Sequence, residues 1–141
     1  HNIPIILKRI HNLPNHQDDD IDQSFKTPKI LKEAGVLCCL DYQGDMERMG
    51  SRNLPFLAGS TVSYGFNKEE ALELITSNPA KILGIAHRTG TLEAGKDANL
   101  FISSGDALEV MSNNIELLFL MGENISLNNH QLELYNKYLK K

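Results

Sequence analysis

The alternation of apolar and polar positions divides the chain into two regimes. Up to residue 84, short wholly apolar runs alternate with segments of helical spacing. Residues 3–7 (IPIIL) and 36–40 (VLCCL) are apolar throughout, the pattern of strands buried on both faces. Between them lie a polar loop, 12–26, and a short helix, with Thr27 as its expected cap, Pro28 at its first position and Gly35 past its end. Strand, helix and strand in this order predict a parallel βαβ unit. Residues 52–64 read as a helix stopped by Gly65. Asn67 opens the next helix with Glu70 in capping-box position, and Asn78-Pro79 opens one further turn that Gly84 ends.

After residue 84 the period changes. Gly90 and Gly95 are positions for chain reversal ahead of a strand at 98–103. Residues 115–121 (IELLFLM) predict another strand, turned at 122–124 into a hairpin with 125–127. Residues 130–141 predict an amphipathic helix with Leu132, Tyr135 and Leu139 on one side. Two parallel strands and a few late ones make poor sheets alone, so each regime reads as part of a larger object. The strands at 3–7, 36–40 and 98–103 are expected to carry open edges and to promote self-association. The helices of 68–84, with Leu72, Ile75, Ile82, Leu83 and Ile85, are expected to pack on the 100–102 strand as the stable core. Loop 12–26, with four aspartates, is expected to be mobile or held only by contacts between molecules.

Composition narrows the partners without naming a function. With 141 residues, 41% apolar and 23% charged, the chain is of ordinary single-domain size and make-up. A net charge of -4 supplies no basic stripe for nucleic acid or membrane headgroups, and no apolar run is long enough to span a bilayer. The chain opens on His1 without a signal-peptide pattern and reads as cut from something longer, so no localisation is assigned. Cys38 and Cys39 are adjacent, which makes a mutual disulfide strained and fits small apolar fillers of a buried strand.

A resemblance adds what composition cannot. SNPAKILGI (77–85) followed by RTGTLEAGKDANLFI (88–102) resembles the carboxyl end of the amidohydrolase superfamily, nearest its imidazolonepropionase-like branch. The likeness extends upstream, where IPIILKRIHNLP, AGVLCCL and RNLPFLAGSTVSYGFNKEEALELIT resemble the seventh barrel strand, the eighth and the helices that follow. It implies an α/β fold: the last two βα units of a TIM-like (β/α)₈ barrel over residues 1–84. Residues 85–141 would then be a small β unit of the flanking sandwich plus a C-terminal helix.

The resemblance also implies chemistry. Relatives place a divalent metal, zinc being the expected one, at the carboxyl ends of the barrel strands, where it lowers the pKa of a bound water. Their histidine ligands would precede His1, so the chain alone is expected to hold no metal tightly and to be inactive. An aspartate after the eighth strand accepts the water's proton. Here the strand ends LDYQGD, which puts Gln43 at the aligned position, Asp41 two residues early and Asp45 two late. Asp41 is the candidate metal ligand, and Asp41 and Asp45 are the catalytic candidates. His11, beyond the first strand, and Arg52, in RNLPF, are candidates for substrate binding. His16 with Asp18, Asp19, Asp20 and Asp22 resembles a metal cluster in composition but reads as a solvated acidic loop.

Two functions remain open. One is part of a metal-dependent hydrolase of a carbon–nitrogen bond in a small cyclic amide or dipeptide-like substrate. The other is a superfamily member with a degenerate metal site that binds without hydrolysis, which Gln43 favours.

Overall fold

The computed structural model describes residues 3–42 and 47–139. Strand β1 (Ile5–Lys8), helix α1 (Gln23–Glu33) and strand β2 (Cys38–Asp41) form the βαβ unit, with β1 and β2 parallel and Ile5 opposite Cys38. A 3-10 segment (Glu47–Asn53) leads into α2 (Leu54–Ser60), a further 3-10 turn (Thr61–Tyr64), α3 (Lys68–Glu73) and α4 (Ser77–Ile82). The second sheet is antiparallel, in the order β3 (Leu100–Ser103), β4 (Ile115–Leu120), β5 (Glu123–Asn124), and α5 (His130–Leu139) follows.

Local rules account for the end of α1, the start of α3 and the turn after β4. At the end of α1 the Val36 N–H donates to the Leu31 carbonyl and the Gly35 N–H to that of Lys32, both at 2.9 Å, with Gly35 at φ +73°. That is the Schellman arrangement, which a glycine accepts without Cβ strain. The Asn67–Glu70 capping box is present in both directions. Met121 and Gly122 both take positive φ, as a two-residue turn between antiparallel strands requires.

The start of α1 differs from expectation. The helix begins at Gln23, so Thr27 is an interior residue whose hydroxyl donates to the Gln23 carbonyl at 2.8 Å. Pro28 is fully buried within the helix. The polar loop is therefore shorter than 12–26, and Lys26 pairs with Asp20 and Asp22 across the helix start. The predicted helix 52–64 is likewise divided, with 3-10 turns on either side of α2.

Burial departs further from the apolar pattern. Cys38, Cys39 and Leu40 are buried, but β1 is not: Ile6 is 52% exposed. The core gathers around β2 and α2: Cys38, Leu40, Leu57, Ala58, Phe66, Ala71 and Leu74, joined by Ile10 and by Leu108 from the second regime. Each such leucine or phenylalanine contributes roughly 1.5–3 kcal/mol by leaving water. The expected packing of 68–84 on the 100–102 strand is not what holds the fold, since Leu83, Ile85 and Ile102 stay 64%, 39% and 47% exposed. Nor is the second edge of β2 open. The Leu40 N–H donates to the Leu74 carbonyl at 3.0 Å, and the Asn78 side-chain amide to the Cys38 carbonyl at 3.0 Å. Hydrogen exchange should therefore be slowest at 57–58 and 71–74 and fastest at 12–18; equal protection of the two groups would contradict this core.

Candidate functional site

Because β1 and β2 are parallel, their carboxyl ends lie at one rim, with Lys8 opposite Asp41. Asp41 ends β2 with an exposed side chain, and the Arg9 N–H donates to its carbonyl at 3.0 Å. Arg9 takes φ +20°, and the chain turns there: its Nε donates to Asn12 Oδ1 at 3.0 Å while Asn12 Nδ2 donates to the Arg9 carbonyl at 2.5 Å. His11 follows this turn. His11 Nε2 lies 3.0 Å from Ser60 Oγ at the end of α2. The imidazole lies tilted by 31° against Phe25 (centroids 5.2 Å apart), which stacks on Tyr64 at 5.4 Å. Burial, and secondarily the Arg9 charge, lower the His11 pKa, so the ring is neutral at pH 7.

The other candidates are placed less centrally. Arg52 is exposed in the 3-10 segment between β2 and α2. Asp45 and Gln43 lie outside the described residues. Within the acidic loop, Asp19 accepts the His16 backbone N–H at 3.2 Å and Asp20 and Asp22 bind Lys26. Among the described residues, no three of His, Cys, Asp and Glu come together as a metal site. Among the described residues Asp41 thus has too few companions for a divalent ion, which takes four or more donors. Both thiols are free, buried and raised in pKa by that burial, Asp41 adding to the rise at Cys39.

A cavity of about 300 Å³ opens at the amino end of β2, between Lys32, Phe66, Glu70 and Asn78. Its ionic wall is the Lys32–Glu70 pair, which, together with the Asn67 backbone, lowers the Glu70 pKa. Among the described residues, no helix is long and apolar enough to cross a membrane. Ser60 escaped the sequence reading, because nothing local ties it to a histidine 49 positions away.

Comparison with known proteins gives the family. The model of the amidohydrolase family matches residues 19–125. The chain is 33% identical over 88 residues to imidazolonepropionase of Thermoplasma volcanium, a stretch covering 61% of this chain and 21% of that protein. It is 52% identical over 46 residues to N-acetylglucosamine-6-phosphate deacetylase of Danio rerio, covering 33% and 11% of the two chains. Among solved structures, an amidohydrolase from Thermotoga maritima superposes with a TM-score of 0.70 at 27% identity, over 89% of this chain and 32% of that one. The chain spans about a fifth of the first relative's length and about a third of the superposed structure's.

Proposed function

The chain belongs to the amidohydrolase family, and from that premise we propose that it supplies the last two βα units, residues 1–84, of a (β/α)₈ barrel that hydrolyses a carbon–nitrogen bond. Residues 85–141 would serve as part of a flanking sandwich. The observation that supports the reading is the parallel β1–β2 pair, whose carboxyl ends share one rim with Lys8 opposite Asp41. Barrel enzymes build their sites at that end of the strands.

The residue roles follow from chemistry. Asp41 is the candidate base for the attacking water, with Asp45 as its competitor. Neutral His11 is suited to hydrogen-bonding a small cyclic amide or dipeptide-like substrate, and Arg52 to a substrate carboxylate. Family members generally use divalent metals. The donors described here do not fit one by themselves, so its other ligands belong to further parts of a barrel. In a closed barrel the second edge of β2 would pair with a strand, and Leu74 and Asn78 would give way there.

A hybrid tests the reading: this chain replaces the matched third of the Thermotoga maritima amidohydrolase. Retained hydrolysis of a cyclic amide or dipeptide accepted by the parent is the expected result. A folded hybrid that binds metal and hydrolyses nothing would instead favour the degenerate site, which the glutamine at position 43 suggests. Self-association of the separate chain is proposed through β1 and β3, since the second edge of β2 is filled. Light scattering that reports a constant monomer mass across a wide concentration range would refute it.

A further inference from the structure

We infer that Ser60 is a positioning residue that fixes the proton of His11 on Nε2 and so presents Nδ1 as a hydrogen-bond acceptor. The inference rests on the reading of His11 as a substrate-facing group, and it adds what that group can recognise: an N–H or O–H donor.

The argument is one of proton counting. A serine hydroxyl has one hydrogen to give. Ser60 Oγ lies 2.7 Å from the Leu57 carbonyl, an acceptor that has no hydrogen of its own, so the hydroxyl proton goes there. What remains toward His11, at 3.0 Å, is an oxygen lone pair. Only a protonated Nε2 can meet it. In a neutral imidazole the other nitrogen is then bare.

Three features hold this arrangement. The Leu57 carbonyl sits on a fully buried residue of α2 and cannot swing away without disturbing the core. The ring packs at a tilt against Phe25, centroids 5.2 Å apart, itself backed by Tyr64. Burial and the charge of Arg9 disfavour a second proton, which would turn Nδ1 into a donor. The nitrogen offered to a ligand is therefore an acceptor, matching the N–H of an amide and not its carbonyl. Orientation of a substrate amide by its N–H leaves the carbonyl carbon free for attack by water from the Asp41 side.

Nitrogen NMR of the imidazoles in the ¹⁵N-labelled chain is the test, with free histidine as the reference. His11 is expected to be almost wholly in the Nε2–H form at neutral pH, while free histidine shows a mixture of both tautomers. In Ser60→Ala, His11 should fall back to the reference mixture, and Ser60→Thr should restore the single form. A wild-type His11 protonated on Nδ1 overturns the inference without any variant, so a Ser60→Ala chain that fails to fold does not shield it. An unchanged ratio in a folded Ser60→Ala chain overturns it as well. The tautomer is read on this chain alone. Failure here leaves the barrel reading standing, and an inactive hybrid leaves the tautomer standing.

Discussion

Asp41→Asn in the hybrid enzyme is expected to lower kcat by about a hundred- to ten-thousand-fold, the usual contribution of a positioned general base. Asparagine keeps the size of the side chain and one accepting oxygen but cannot take a proton from water. The backbone at this position is fixed independently of the side chain, by pairing with Lys8 and by the Arg9 N–H on the Asp41 carbonyl. KM should therefore move little, and the loss should appear as kcat. Asp45→Asn is the companion variant. If Asp45→Asn abolishes turnover and Asp41→Asn does not, the base lies two residues beyond the aligned position. If neither variant alters kcat, neither carboxylate is the base and the assignment fails for both. Measurement of kcat and KM separately decides among these outcomes.

Gly59→Ala should destabilise the chain by about 2–3 kcal/mol, the order expected when a side chain is forced into a closed contact. A Cβ on Gly59 would lie 2.2 Å from the Leu108 carbonyl oxygen, a backbone atom that cannot rotate aside. The segment around Leu108 is held in place on its own side. The Leu108 N–H donates to Asp106 Oδ1 at 2.9 Å, and Asp106 also binds Lys68. Relief of the clash must lift Leu108 out of the core, where it is 6% exposed. Gly35→Ala provides the contrast. Its Cβ would meet nothing within 4 Å, and only the left-handed φ of +73° would be penalised, at about 1 kcal/mol. Urea midpoints of the two variants measure the difference, and equal midpoints would mean that α2 and the Leu108 segment do not pack as described.

Both results depend on contacts that residue order does not display, and the same division runs through the whole molecule. The sequence by itself determined the features that act over a few residues. The Asn67–Glu70 box, the stop at Gly35, the reversals at Gly90 and Gly95 and the turn after β4 are all present. Each depends on a hydrogen bond or a positive φ that neighbouring residues settle among themselves. Most strand positions were legible for the same reason, although the return strand of the hairpin lies at Glu123–Asn124, where the turn was expected, and not at 125–127; the family was legible from the long string at 77–102. The start of α1 was not. Thr27 and Pro28 look like a cap and a first helical residue, yet the chain continues the helix back to Gln23, where the Lys26 pairs with Asp20 and Asp22 sit. Burial was less legible still, because IPIIL and VLCCL are equally apolar. Only β2 is covered, since α1, α2 and α4 pack on it, while β1 is exposed except at Leu7. The pairing of His11 with Ser60 belongs to the same class. It joins residues brought together by the turn at Arg9 and the direction of α2, and a hydrogen bond 49 positions long exists only once the tertiary structure has set both ends in place.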